Sequence, residues 1–387
     1  MALTALRAMA LAVQTPTLKG QGVPVMGWGS TGMAKTSLIE KLAEKLDAAF
    51  FAFNLQTKIP EHLGGFAIPD LERGVVQLMP PAVVETIRAT KGLAILFIDE
   101  ANTAERAMQA AELQLISERK MGDIQLPPNV AFLASSNPVE EAANGQELSA
   151  AFANRWVHIQ WDLDYATWRK ALLSDFEDGV DIPSFPKERW AMKWPVARGL
   201  VVGYLDRQPQ DFDKKRENER ELAWPNARKW DWAARLLAAC MAAGAEDLKL
   251  PLIYGCVGEG VGNQFLHYMR EADLPDPEEL LDHPGRFKPT KHADLVYAVL
   301  GSVVAAVRAH LTRERYKAAW AIIRCCVKAG LPDVAAISAQ DLWAMYKENL
   351  AKPDSKVRLD LPTEGLESLI PMMVEAGVVR RKKDAAA

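Results

Sequence analysis

The sequence of 387 residues predicts an α/β fold with a parallel sheet in its N-terminal part and an all-helical region in its C-terminal part. Two apolar runs, residues 23–26 and 93–98, each lead into a polar motif, which is typical of buried parallel strands. After residue 225, apolar residues recur at helical spacing in three segments, namely 232–241, 295–310 and 316–329. We therefore expect an α/β domain followed by a helical domain.

A glycine-rich loop follows the first apolar run and leads into an amphipathic helix predicted at residues 36–46. The loop consists of Gly29, Ser30, Thr31, Gly32, Met33, Ala34, Lys35 and Thr36. Backbone N–H groups of such a loop, together with the partial positive charge of a helix start, bind phosphate. We expect Lys35 to contact β- and γ-phosphate oxygens and the Thr36 hydroxyl to ligate Mg²⁺. An ordinary strand-to-helix turn is the alternative, and Ala34 stands where the general motif has a second glycine.

The second apolar run ends in two acids, Asp99 and Glu100. At the carboxyl end of a buried parallel strand, Asp99 is suited to hold Mg²⁺, while Glu100 is suited to deprotonate an attacking water. The two acids alone would also fit the start of a helix. Their combination with the phosphate loop favours a nucleotide site.

The remaining N-terminal elements follow from the same patterns. Residues 1–12 resemble a secretory leader, but their apolar core is short, so we predict a helix that packs on the nucleotide domain. Further elements are predicted by apolar alternation and helical spacing: a strand at 50–55, a hairpin at 66–78, helices at 82–90 and 103–118, a hairpin with a strand over 121–134, and a strand at 157–160.

Two polar residues stand at the ends of these later elements. Asn137 follows the strand that ends near residue 134, where its amide can align a water or contact a γ-phosphate, although Asn before proline is also a common turn residue. Arg155 ends a short helix before strand 157–160. An arginine there reaches a neighbouring subunit's nucleotide more easily than its own.

In this order the motifs resemble those of the AAA+ ATPases and, within them, the MoxR-like branch. The resemblance spans residues 22–160 and extends to Arg228, because Trp224-Pro-Asn-Ala-Arg228 is similar to the second sensor of that family. Ala34 is usual in the MoxR-like branch, and hairpin 66–78 resembles the insertion of that branch. The chain departs from the family at Asn154 and Trp156, which replace Asp and Phe. The alternative phosphate-contacting arginines are Arg169, Arg198 and Arg235.

The resemblance implies a P-loop AAA+ core with a C-terminal helical lid that hydrolyses ATP with Mg²⁺ held by Thr36 and Asp99. Glu100, Asn137, Arg155 and Arg228 would form the catalytic set. It also implies a homo-oligomeric ring of six, a protein client, and a partner with a von Willebrand A domain on a separate chain. The expected domains are a core at 1–165, a Pro-, Trp- and charge-rich connection at 166–223, a lid at 224–345 and an extension at 346–387.

Composition narrows the function classes. A formal charge of −4 gives no basic surface for nucleic acid, and the basic cluster 380–383 lies in the tail. A nucleic-acid-stimulated motor or restriction-type NTPase and a nucleotide-gated scaffold are the alternative functions. Eight of the eleven tryptophans fall between residues 156 and 232, which predicts buried packing or, alternatively, a stacking platform. No apolar run suits a membrane span, and four cysteines and six histidines show no zinc spacing, so we expect a cytoplasmic protein with buried thiols.

Overall fold

The computed structural model of the chain describes residues 2–55, 59–104, 106–142, 145–161, 163–173, 181–218, 220–271, 275–290, 293–351 and 357–361. The chain divides into two compact units. Residues up to 185 and residues 210–264 form the first unit, and residues 186–209 with those from 265 onward form the second. Most of the expected C-terminal extension, including the basic cluster 380–383, lies outside the described residues.

The strands of the first unit range from two to seven residues in length. In chain order they are β1 (Pro16–Thr17), β2 (Gly20–Gln21), β3 (Val25–Trp28), β4 (Ala49–Asn54), β5 (Phe66–Asp70), β6 (Val75–Met79), β7 (Ala94–Asp99), β8 (Lys120–Met121), β9 (Ile124–Gln125), β10 (Val130–Ser136) and β11 (Val157–Gln160).

Helices, loops and turns make up the rest of the described chain. The helices are α1 (Ala2–Gln14), α2 (Lys35–Lys45), α3 (Glu61–Gly64), α4 (Val83–Ala89), α5 (Arg106–Glu118), α6 (Ala150–Ala153), α7 (Tyr165–Leu173), α8 (Lys187–Arg207), α9 (Ala227–Ala243), α10 (Lys249–Val257), α11 (Glu259–Glu271), α12 (Pro277–Asp282), α13 (Ala293–Ala309), α14 (Arg313–Lys328) and α15 (Pro332–Leu350). Single 3-10 turns occur at Ala101–Thr103, Pro209–Asp211, Glu246–Leu248 and Pro284–Arg286.

The main sheet has five parallel strands in the order β11–β3–β10–β7–β4. Ala134 of β10 pairs with Met26 of β3 on one side and with Ile98 of β7 on the other. This register brings the carboxyl ends of the three strands to one edge, where loop 29–36 and the acid pair begin. The predicted fold class, an α/β core with a parallel sheet and a helical C-terminal region, is confirmed.

The apolar runs form strands because both faces of the sheet are covered. Every residue of β10 is buried, including Ser135 and Ser136 at its end. The predicted N-terminal helix is present as α1, and its residues 8–13 are fully buried. Helix α1 approaches the sheet closely, since a Cβ added to Gly27 would lie 2.7 Å from the Met9 side chain.

The predicted hairpin forms from β5 and β6, which pair antiparallel with Phe66 opposite Met79. Its base is fixed to the loop between β8 and β9, because Asp123 accepts from the Leu78 N–H at 2.8 Å and donates its own N–H to the Leu78 carbonyl. Its large apolar side chains remain exposed: Phe66, Ile68, Leu71, Val75, Val76, Leu78 and Met79. The hairpin therefore presents apolar residues to solvent on a fixed base.

The second unit is helical and begins within the segment predicted to be a connection. Helix α8 spans 21 residues despite the internal Pro195. It packs tightly on α13, since a Cβ added to Gly199 would lie 2.6 Å from the Cβ of Ala298. The expected domain boundaries differ from this division, because α9 and α10 belong to the unit that contains the sheet.

The tryptophan-rich region is mostly buried. Trp156, Trp161, Trp190, Trp224 and Trp230 lie inside their units, as the packing interpretation predicts, whereas Trp168 is exposed. Of the cysteines, Cys240, Cys256 and Cys326 are buried and Cys325 is half-buried. None of the described helices combines the length and the apolar character needed to cross a bilayer.

Candidate functional site

The site begins where β3 ends. Trp28 is the last residue of β3, and the loop 29–36 follows it directly. The Gly29 N–H donates to the Ser136 carbonyl at 3.1 Å, which fixes the start of the loop to the end of β10. A side chain at Gly29 would strike the Trp161 carbonyl, because an added Cβ would lie 2.5 Å from it. The first glycine of the loop is therefore required by packing.

Ala34 closes the loop in the left-handed region, with φ of 54°. Glycine adopts this conformation without cost, whereas an L-residue pays roughly 1–2 kcal/mol. This explains why the general motif has glycine at this position. The loop still closes with Ala34, as the sequence predicts, and α2 begins at the next residue.

Lys35 lies at the centre of the site. Its Nζ donates to the Gly29 carbonyl at 2.6 Å, to the Ser30 carbonyl at 3.0 Å and to the Asn137 Oδ1 at 2.7 Å. Burial lowers the pKa of Lys35, while Asp99, Glu100 and Glu141 act in the opposite direction. The ammonium group is thus held at the mouth of the loop, where it is close to three carboxylates.

Thr36 and Asp99, the residues expected to hold Mg²⁺, lie next to each other. The Thr36 hydroxyl donates to Asp99 Oδ2 at 2.7 Å, and the Ser135 hydroxyl donates to Asp99 Oδ1. Hydroxyl and carboxylate oxygens are ligands that Mg²⁺ prefers, and nucleotide-bound Mg²⁺ needs only one or two of them from the protein. The pair therefore fits Mg²⁺. Among the described residues, no group of three His, Cys, Asp or Glu side chains is suited to hold a metal by itself.

Glu100 follows Asp99 in a left-handed conformation, with φ of 56°. One carboxylate oxygen, Oε2, is buried and has no hydrogen-bond partner in the described part of the chain. Burial and the neighbouring Asp99 raise the pKa of Glu100, and Lys35 counteracts them. A carboxylate with an unused oxygen and a raised pKa is suited to accept a proton.

Asn137 is the third group at this edge, and its amide contacts Lys35. Its backbone is held by Asn102, which donates to the Asn137 carbonyl at 2.7 Å and accepts its N–H at 3.4 Å. Asn102 is fully buried. Sequence reasoning missed Asn102 and Ser135, although a polar residue three positions after Asp99 and a serine at the end of an apolar strand are weak signals for both.

Glu141 is a further residue that the sequence did not indicate. Its carboxylate accepts from the Ser30 hydroxyl at 3.0 Å and lies 3.4 Å from the Thr31 nitrogen. Both donors belong to the predicted phosphate loop. A carboxylate thus occupies donors that an anionic phosphate would use.

Arg155 and Arg228 lie together, but not with Lys35. Arg155 donates to the Ser117 hydroxyl and to the Ala151 carbonyl, both at 2.9 Å. Arg228 lies 3.5 Å from the Asn154 carbonyl, and burial, followed by the charge of Arg155, lowers its pKa. In the described part of the chain, neither guanidinium contacts loop 29–36.

The alternative arginines have structural contacts. Arg235 forms an ion pair with Asp231 at 2.9 Å and donates to the Pro16 carbonyl at 3.0 Å. Arg198 lies over the Tyr297 ring, 5.9 Å from its centroid. Arg169 is exposed on α7. None of these contacts favours a role with nucleotide.

Comparison with known proteins agrees with this geometry. Residues 24–156, about a third of the chain, match the family described as "AAA domain (dynein-related subfamily)". The match covers loop 29–36, the acid pair, Asn137 and Arg155. These residues therefore form an AAA domain, which supports nucleotide binding and ATPase activity.

Solved structures include a "putative ATPase" from Cytophaga hutchinsonii ATCC 33406 that is similar to this chain. The two share 15% sequence identity, and the similarity covers 69% of this chain and 88% of the other, with a TM-score of 0.41. The assignment of the AAA domain rests on the family match and on the sheet.

Proposed function

We propose that the chain is a MoxR-like AAA+ ATPase that hydrolyses ATP in a homo-oligomeric ring of six subunits and thereby remodels or activates a partner protein. The observation that carries the proposal is the convergence of Lys35, Thr36, Asp99, Glu100 and Asn137 at one edge of the sheet. Few sites other than one for nucleotide hydrolysis need a phosphate loop, a metal-binding pair and a carboxylate with a free oxygen.

Binding of ATP uses the loop and the metal pair. The N–H groups of residues 29–36 and the Lys35 ammonium hold the phosphates, and the start of α2 adds its partial positive charge. Thr36 and Asp99 would hold Mg²⁺, which would neutralise part of the negative charge of the triphosphate. Lys35 exchanges its loop carbonyl partners for phosphate oxygens.

Hydrolysis requires a base and an aligned water. Glu100 takes the proton of the attacking water at its free Oε2, and Asn137 orients that water with its amide. The positive charge of Lys35 stabilises the negative charge that develops on the phosphoryl oxygens. The fixed backbone of Asn137, held by Asn102, keeps the amide in place during this step.

Arg155 completes the site of a neighbouring subunit in this proposal. Its contacts with Ser117 and Ala151 hold it away from its own phosphate loop, which supports a role in trans. Arg228, the predicted second sensor, lies beside Arg155 and is proposed to act on the same nucleotide. Because Arg155 acts on the nucleotide of a neighbouring subunit in this proposal, ATP turnover depends on assembly of the subunits.

The work of the ATPase is proposed to be done on a protein. The exposed apolar side chains of hairpin 66–79 support contact with a protein client, because monomeric proteins rarely expose contiguous apolar surface. The formal charge of −4 disfavours the alternative of a nucleic-acid-stimulated motor. As for MoxR-like proteins, the proposed partner carries a von Willebrand A domain on another chain, in the cytoplasm.

The Glu100→Gln variant tests the proposed chemistry. The amide keeps the size of the side chain but cannot accept a proton, so we expect ATP to remain bound with Mg²⁺ while turnover falls by about 100-fold or more. Asp99 and Lys35 are intact in this variant, so binding serves as its internal control. Turnover of Glu100→Gln equal to that of the unmodified protein would remove Glu100 from the mechanism. In a separate assay, stimulation of ATP turnover of the unmodified protein by DNA or RNA would favour the nucleic-acid-stimulated motor.

A further inference from the structure

The buried His158 connects strand β3, which leads into the phosphate loop, to the turn that carries Arg155. The indole N–H of Trp28, the last residue before the phosphate loop, donates to His158 Nδ1 at 2.9 Å. The other ring nitrogen, Nε2, lies 2.8 Å from the Ala153 carbonyl oxygen, two residues before Arg155. The ring of His158 thus bridges β3 and the end of α6.

The two contacts fix the protonation state of the ring. An indole N–H can only donate, so His158 Nδ1 must accept and carries no proton. The Ala153 carbonyl can only accept, so Nε2 carries the proton and donates. Burial, followed by the nearby Lys229, holds the pKa of His158 well below its usual range, in agreement with a neutral ring.

The turn that follows α6 is also held from α9. Arg228 lies 3.5 Å from the Asn154 carbonyl oxygen, and the fully buried Lys229 donates to the Trp156 carbonyl. Asn226, the residue that caps α9, donates to the Asn154 side chain at 3.0 Å. Side chains therefore bind three backbone carbonyls of residues 153–156. His158 binds the first of them, the carbonyl of Ala153.

We propose that His158 is a positioning residue that sets the geometry in which the turn 153–156 presents Arg155 to the neighbouring subunit. Through Trp28, the ring ties this turn to the strand that carries the protomer's own phosphate loop. His158 contacts neither nucleotide nor reacting atoms in this role. The inference rests on the proposed function, in which Arg155 acts in trans.

Three variants separate the hydrogen bonds from the volume of the ring. His158→Leu removes the acceptor and the donor, whereas His158→Gln keeps one of each on a single amide. Trp28→Phe removes the indole donor together with part of the ring volume. The matched control is Trp230→Phe, since Trp230 is also buried and donates its indole N–H to a carbonyl, that of Asp211, at 2.9 Å.

We expect His158→Leu to lower kcat by about tenfold or more while KM for ATP changes less than about twofold. His158→Gln should recover most of the lost kcat, Trp28→Phe should lose part of it, and Trp230→Phe should retain it. Loss of kcat in His158→Gln equal to that in His158→Leu would overturn the proposal. If His158→Leu does not fold, full activity of Trp28→Phe would overturn it in the same way.

Mixed assembly distinguishes presentation of Arg155 from damage to the protomer's own site. Glu100→Gln subunits cannot hydrolyse ATP but carry an intact turn 153–156, so they should restore activity to His158→Leu subunits next to them. Arg155→Ala subunits are measured in parallel. Rescue of Arg155→Ala without rescue of His158→Leu would overturn the role of His158 and leave the proposed function standing. Failure to rescue Arg155→Ala would overturn the trans mechanism itself.

Discussion

At the scale of single residues, two of the four described non-glycine residues with positive φ lie in the site. Ala34 and Glu100 both adopt left-handed backbone conformations, with φ of 54° and 56°. Such conformations are costly for residues with a Cβ and persist only where the surroundings impose them. Ala34 is bounded by the start of α2, and Glu100 by the 3-10 turn at Ala101–Thr103. The strain aims the loop N–H groups and the Glu100 carboxylate at the same edge of the sheet.

Glu141 provides the prediction at this scale. Its carboxylate holds the Ser30 hydroxyl and faces the Thr31 N–H, so it competes with phosphate and repels a triphosphate. We expect Glu141→Gln to tighten ATP binding by roughly three- to tenfold, about 0.7–1.4 kcal/mol, which is the net contribution of one typical hydrogen bond. Isothermal titration calorimetry at two salt concentrations measures the change, and the gain should shrink at high salt.

The neighbouring acid Glu140 is the matched control for this prediction. Glu140→Gln changes the net charge by the same amount, but Glu140 makes no described contact with the loop. An equal gain in Glu140→Gln would mean that net charge, and not the contact with Ser30, sets the affinity. Weaker binding in Glu141→Gln would contradict the competition.

At the scale of elements, the sequence predicted what depends on local pattern. Strands β3, β7 and β10, hairpin 66–78 and helices α9, α13 and α14 follow from apolar runs and periodicity. Helix α8 was not predicted, because Pro195, two tryptophans and seven charged residues obscure the helical period. Its stability comes instead from contact with α13, which no local pattern reveals.

The residues of the candidate site also divide into those that local sequence pattern predicts and those that only tertiary contacts reveal. The phosphate loop and the acid pair have residue types at fixed spacing, so the sequence predicts them together with Asn137. Asn102, Glu141 and His158 act through partners that are distant in sequence, and only the sheet order brings them there. The contact of Arg228 with the turn 153–156 likewise depends on the packing of α9 and was not predictable from its motif.

Helix α5 contains an acidic residue, Glu112, whose charged form is disfavoured by burial. Glu112 is fully buried, and neither carboxylate oxygen has a hydrogen-bond partner among the described residues. Burial raises the pKa of Glu112 well above its usual range. We expect Glu112→Met, which keeps the length of the side chain and removes its polar atoms, to stabilise the protein by roughly 1–3 kcal/mol at neutral pH.

The pH dependence of this gain follows from linkage. The folded state retains the Glu112 proton, whereas the unfolded state loses it above pH of about 4.3, so the native stability falls as pH rises above that value. The increase in Tm of Glu112→Met should therefore be larger at pH 8 than at pH 5. Gln109→Met on the same helix is the control, because Gln109 donates to the Ala104 carbonyl at 3.1 Å and its loss should not stabilise. A lower Tm for Glu112→Met would indicate that the acid has a stabilising partner.

At the scale of the whole molecule, the charged residues proposed for ATP hydrolysis lie in two separate places. Lys35, Asp99, Glu100 and Asn137 lie at the carboxyl edge of the sheet. The Arg155 guanidinium instead donates hydrogen bonds to the Ser117 hydroxyl and the Ala151 carbonyl. Under the proposed function, one protomer supplies a base and a metal-binding pair at one place and an arginine at another. Such a division suits an assembly in which neighbours complete each other's sites.

Mixed oligomers test this division directly. Arg155→Ala alone should lower turnover by about 10³-fold or more, the range found for other arginine fingers, with ATP binding retained. Glu100→Gln alone should also have strongly reduced turnover, but subunits of the two variants lack different halves of a shared site. Mixing the two variants should restore part of the ATPase activity. The restored activity should be greatest at intermediate mixing ratios and should fall when either variant is in large excess. Steady-state ATPase assays across mixing ratios, with co-assembly verified by light scattering and affinity-tag capture, measure this restored activity. Absence of activity at every ratio, despite co-assembly, would place Arg155 in its own subunit's site or in a structural role, because only a residue that acts across the interface is replaced by a neighbour's copy.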